Sequence, residues 1–160
     1  MVRGLCTETT SVALMGITLL KYKGTNKTID LTPFAKLIGL NAQILDDLKN
    51  LTCPELHKSK GFCDDITEGK LSFPVTYFLN NTKLPHHKEK SERLLQILKL
   101  RTEDILLKQE AVQILEDSGA LDYTRKRVKK LQMDLILEAS KLGTNPELVK
   151  LIEGIKNNEG

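Results

Sequence analysis

Four oxygen-bearing side chains recur at helical spacing in the middle of this chain. Gln43, Asp46, Asp47 and Asn50 fall at i, i+3, i+4 and i+7, which places them on one side of a helix. Adjacent carboxylates with an amide on each side form a hard-oxygen set, of the kind Mg²⁺ accepts while keeping several of its waters. On that reading Asp46, Asp47 and Asn50 are the candidate metal ligands. Gly39 extends the stripe backwards, where a missing side chain permits close approach. Downstream, Lys60 and Lys70 are cations placed to meet an anion that such a metal would also hold. The competing reading of an Asp-Asp pair is a plain solvated helix face, and spacing alone leaves both open.

Positioning these groups takes a helix from Thr32 to about Leu51, with Thr32 as its cap and Pro33 at its first position. Its other side is apolar: Phe34, Leu37, Ile38, Leu45 and Leu48. Before it, Thr9 to Tyr22 is rich enough in apolar residues to form a buried helix, followed by a polar loop to Leu31. After it, Thr52 to Leu71 reads as loop-rich. Ser72 and Pro74 open a short helix to about Leu79, and a turn region follows to Pro85. His86 to Leu100 is amphipathic. Thr102 is expected to cap a helix to Asp117 that Gly119 ends. Leu121, Val128, Leu131, Leu135, Ala139 and Leu142 form a core-facing stripe that Gly143 closes, and Asn145–Pro146 starts a last helix.

The 160 residues suffice for one domain with a real core. Leu, Ile, Lys and Glu are frequent and β-branched runs are few, which points to an all-α fold of about seven helices in an antiparallel bundle. A net charge of +3 argues against nucleic acid or an anionic membrane as partner. No apolar run is long enough for a transmembrane segment. The N-terminal residues lack a basic segment followed by an apolar core, so a cytoplasmic location is expected and the sequons at Asn26, Asn50 and Asn80 are chance matches. Cys6, Cys53 and Cys63 are accordingly expected as reduced thiols. Cys53, His57 and Cys63 fit no common zinc spacing and lack a fourth ligand. The His86–His87 pair reads as an exposed helix start.

The stretch from Gly39 to Pro74 resembles the second aspartate-rich region of the trans-polyprenyl diphosphate synthases, and is most similar to the geranylgeranyl diphosphate synthase branch. That family carries Phe-Gln-Ile-x-Asp-Asp-Tyr-x-Asn, then Lys-Gly-Phe-x-Glu-Asp-Leu-x-Glu-Gly-Lys-x-Ser-Phe-Pro. The matching residues here are Gln43, Ile44, Asp46, Asp47 and Asn50, then Lys60, Gly61, Phe62, Asp65, Glu68, Gly69, Lys70, Ser72, Phe73 and Pro74. The later RTEDILLKQEAVQIL and SGALDYTRKRVKKL runs resemble the same branch, so the likeness covers roughly residues 8 to 156.

The resemblance implies an isoprenoid-synthase-type bundle, incomplete here, and a prenyltransferase that condenses isopentenyl diphosphate with an allylic diphosphate using Mg²⁺. Asp46 and Asp47 would hold one metal, Lys60 and Lys70 would bind the diphosphate, and Thr9 and Gln43 would contact the allylic substrate. Asp64 and Asp65 belong to the loop that presents Lys70. Two positions depart from the family: Glu8 stands where a diphosphate-binding Lys is expected, and Leu48 where a Tyr is expected. The family's first aspartate-rich motif belongs to an N-terminal half that this sequence does not contain. The chain alone is expected to be inactive, with an exposed apolar surface and a homo- or hetero-oligomeric association with a synthase chain. The alternative is a non-catalytic subunit that pairs with a complete synthase.

Overall fold

A computed structural model describes residues 30–52, 62–83 and 86–141. Among them every regular element is an α-helix: α1 (Thr32–Thr52), α2 (Asp64–Thr67), α3 (Phe73–Asn80), α4 (His87–Leu100), α5 (Ile105–Asp117) and α6 (Ala120–Ser140). The all-α class expected from composition and periodicity is the one observed. The helices expected over 9–22 and after Asn145 lie outside the described residues, as do Thr9, Lys60, Cys6, Cys53 and His57. The described residues form two compact units: 30–43 with 127–141, and the remainder from Ile44 to Lys126.

In the first unit Phe34, Leu135 and Ala139 are buried together, with Leu37 and Ile38 packed against them. These are residues that the helical periodicity assigns to the apolar sides of α1 and α6. Asp30, rather than a threonine hydroxyl, serves the start of α1, because its carboxylate accepts the Thr32 N–H at 3.0 Å. The outer side of α6 leaves Met133, Ile136 and Leu137 exposed, an apolar i, i+3, i+4 stripe.

The second unit is built by α2 packing on α4 and α5, by α3 on α5, and by α4 on α5. Ile66, Val75, Phe78, Leu94, Ile97, Leu98, Ala111 and Leu115 supply its buried side chains. An Arg93–Glu110 pair, with two N–H···O bonds of 2.6 and 2.7 Å, joins α4 to α5. Thr102 is not the cap of α5. Asp104 takes that place and accepts the N–H groups of Leu106 and Leu107, while the Thr102 hydroxyl accepts the Asp104 N–H. A carboxylate at a helix start satisfies orphan donors and also meets the positive end of the helix dipole, which favours Asp104 over the hydroxyl.

The segment expected as loop contains the single helical turn α2. It ends in a Schellman motif: Gly69 N–H bonds Ile66 O at 3.0 Å and Lys70 N–H bonds Asp65 O at 2.8 Å. Gly69 has φ +66°, and a Cβ there would meet Leu98 O at 2.7 Å, so only glycine fits.

Candidate functional site

Asp46 and Asp47 are neighbours with opposite surroundings. Asp46 is exposed, whereas Asp47 is 2% exposed. Consecutive helical residues point about 100° apart, so a pair at the margin of an apolar stripe is split between water and protein. Asp47 Oδ2 accepts the Phe73 N–H at 2.7 Å, and its Oδ1 lies 2.9 Å from Lys70 Nζ. The first of these contacts caps α3. Ser72 occupies the N-cap position but makes no side-chain cap bond, and its buried hydroxyl has no hydrogen-bond partner. A carboxylate from α1 therefore does the capping that the sequence assigns to Ser72.

Lys70 is held by two carboxylates. Asp65 Oδ1 and Oδ2 lie 3.1 and 3.2 Å from its ammonium, in addition to the contact with Asp47. The Schellman turn through Gly69 brings the two residues together, since it folds Lys70 back over the turn that carries Asp65. Asp65 is itself fixed by its N–H, which donates to Asn50 Oδ1 at 3.1 Å. That bond, to the amide oxygen offered above as a metal ligand, ties α1 to the turn that positions Lys70.

The electrostatics follow from this packing. Burial opposes charge on the Lys70 ammonium, but the bonds and charges of Asp47 and Asp65 outweigh it and raise its pKa. Burial pushes the Asp65 carboxyl up to about 6, against the pull of Lys70 and with further repulsion from Asp47 and Asp46. Burial likewise pushes the Cys63 thiol up to about 11, partly offset by Lys108. Cys63 is fully buried at the start of α2. His87 is not simply exposed: its Nε2 sits 2.9 Å from Phe78 O and its ring lies against Phe78. Gln43 is half-buried, one turn before Asp46 on α1.

Among the described residues no three His, Cys, Asp or Glu side chains converge as a metal cage. The donors present suit a different mode. Mg²⁺ is commonly held through one or two carboxylates, its own waters and substrate phosphates, and Asp46 offers such a solvent-facing carboxylate. Sequence reasoning assigned Asp65 to the presenting loop but missed its direct grip on Lys70. The readable signal was a carboxylate five residues before a lysine with Gly immediately preceding that lysine.

The family model for polyprenyl synthetase matches residues 7–115. The chain is 38% identical over 145 residues to a geranylgeranyl pyrophosphate synthase of Dictyostelium discoideum, covering 89% of this chain and 45% of that protein. It is 34% identical over 128 residues to a geranylgeranyl pyrophosphate synthase of Mucor circinelloides f. lusitanicus, covering 80% of this chain and 40% of the relative. A terpene synthase of Matsumurasca onukii is similar to the same extent, 34% over 128 residues, with the same shares covered. The chain thus spans less than half the length of these relatives. The matched region includes the helix with the paired aspartates and the turn that holds Lys70, and the chain belongs to the polyprenyl synthetase family.

Proposed function

We propose that this chain is the diphosphate-handling part of a prenyltransferase of the geranylgeranyl diphosphate synthase type, joining isopentenyl diphosphate to an allylic diphosphate. The observation that carries the reading is a lysine, Lys70, held by two carboxylates, one of which, Asp47, is the helical neighbour of the exposed carboxylate of Asp46. Asp46 would hold Mg²⁺ with Asp47 behind it, and the ion would supply positive charge that neutralises the departing diphosphate. Lys70 donates a charge-assisted hydrogen bond to a diphosphate oxygen, which strengthens as the bond to the allylic carbon breaks. Lys60 is the second cation for that group, and Gln43 and Thr9 serve the allylic end. The terpene synthase among the relatives shares this stretch, which supports a common anion-binding task over any one product.

Catalysis needs further groups facing these. The isolated chain is proposed to be inactive and to work with a synthase chain, and the exposed Met133, Ile136 and Leu137 stripe supports such an association. A second reading, a non-catalytic subunit, is favoured by Glu8 at the family's lysine position, where a carboxylate repels diphosphate. The test is calorimetric titration of the chain with inorganic pyrophosphate, with and without Mg²⁺. Binding that requires Mg²⁺ and is lost in Asp46→Asn supports the catalytic reading. Absence of Mg²⁺-dependent binding overturns it.

A further inference from the structure

Lys70 lies between two carboxylates, and its side chain is less buried than either of them. Its side chain is 23% exposed, while Asp47 and Asp65 are 2% and 10% exposed. We infer that Asp65 is a positioning residue: with Asp47 it forms a two-carboxylate cradle that aims the Lys70 ammonium at a diphosphate oxygen. The inference rests on the diphosphate reading above and assigns a task to a residue that touches neither metal nor substrate.

Three observations support the cradle. First, an ammonium has three N–H donors. With one on Asp47 Oδ1 and one shared between the near-equidistant oxygens of Asp65, the third is left for an incoming anion. Second, a free lysine side chain carries about 2 kcal/mol of rotamer entropy, which a phosphate contact would otherwise have to overcome. The cradle removes that freedom before the ligand arrives, which is preorganisation. Third, Asp65 is fixed at both of its backbone groups. Its N–H is on Asn50 Oδ1 and its C=O accepts the Lys70 N–H. A side chain held this rigidly transmits position, and the same turn supplies both the carboxylate and the lysine it holds.

The experiment uses the full chain and two readouts. The first is the ¹⁵N-detected signal of the Lys70 ammonium, assigned by its loss in Lys70→Met. An ammonium held by two carboxylates exchanges slowly enough to be seen, and the signal is expected in the wild type and lost in Asp65→Asn, which keeps the shape and backbone bonds. The second is Mg²⁺–pyrophosphate affinity. Asp65→Asn is expected to weaken it about tenfold, and Asp65→Asn with Lys70→Met to be no weaker than Lys70→Met alone. Asp65→Glu should regain part of the loss. A Lys70 signal absent from the wild type, or unchanged in Asp65→Asn, overturns the cradle. Additive losses in the double variant also overturn it, because they give Asp65 a structural role independent of Lys70. Failure of the wild type to bind Mg²⁺–pyrophosphate overturns the diphosphate reading instead, and the ammonium signal still decides whether the cradle exists.

Discussion

Asp65 and Lys70 are joined twice. The Lys70 N–H donates to the Asp65 carbonyl at 2.8 Å, and the Lys70 ammonium meets the Asp65 carboxylate at 3.1 and 3.2 Å. One turn of helix and one glycine thus position a cation that the linear sequence shows only as a lysine in a loop. The same cation meets Asp47 of α1, so two segments of chain share one charge.

The paired aspartates should respond differently to the same substitution. Asp47→Asn removes a charge that caps α3 and pairs Lys70, and should lower unfolding free energy by about 2–4 kcal/mol. Asp46→Asn, at an exposed position, should change it by no more than about 0.5 kcal/mol. Urea unfolding followed by circular dichroism measures both. Equal losses in the two variants would contradict the inward and outward placement.

Gly69→Ala should be costly although the added methyl is small. A non-glycine residue in the left-handed region loses about 1–2 kcal/mol, and the Cβ would also press on Leu98 O at 2.7 Å. A loss above about 2 kcal/mol is expected in the same unfolding assay. The Lys70 ammonium signal should broaden with it. Gly119→Ala has a positive φ but open space, so it should cost only the backbone part.

Cys63 gives the pH dependence. Its folded pKa is raised from 9.0 to about 11, so the folded chain holds the thiol proton where the unfolded chain has lost it. The associated stability is present below pH 9 and is lost as pH rises toward 11, by at most about 3 kcal/mol. A Cys63→Ala variant should lack this fall. At neutral pH the native thiol should resist iodoacetamide and react only after unfolding, as read by peptide mass spectrometry. Rapid native labelling of Cys63 would show that it is not buried.

Much of this architecture was legible in the sequence because it rests on periodicity. The apolar side of α1 and the stripe of α6 follow from 3.6-residue spacing, and Pro74 marks the start of α3. The division between Asp46 and Asp47 was not legible, since both were placed on one polar stripe and only neighbouring packing decides which one is buried. Thr102 is the wrong cap for α5, and the sequence does not show it, because Thr102 and Asp104 are both good caps and only Glu103 lies between them. The bond from the Asp65 N–H to the Asn50 amide oxygen was not legible either, because it is a contact across a segment whose conformation spacing does not determine. The buried Lys108, which reaches out to Glu103 at 2.8 Å, is another case: charge alone suggests a surface residue, and its apolar stem allows burial.

The most direct test of the proposed role is transfer of labelled isopentenyl units to an allylic diphosphate. The assay would compare the chain alone, the chain mixed with an N-terminal half from a geranylgeranyl pyrophosphate synthase relative, and the same mixture carrying Asp46→Asn. Product is expected only from the mixture with the wild-type chain, and it should fall about a hundredfold or more with Asp46→Asn. Undiminished product from the Asp46→Asn mixture would contradict a catalytic role for this chain and leave it as a non-catalytic partner.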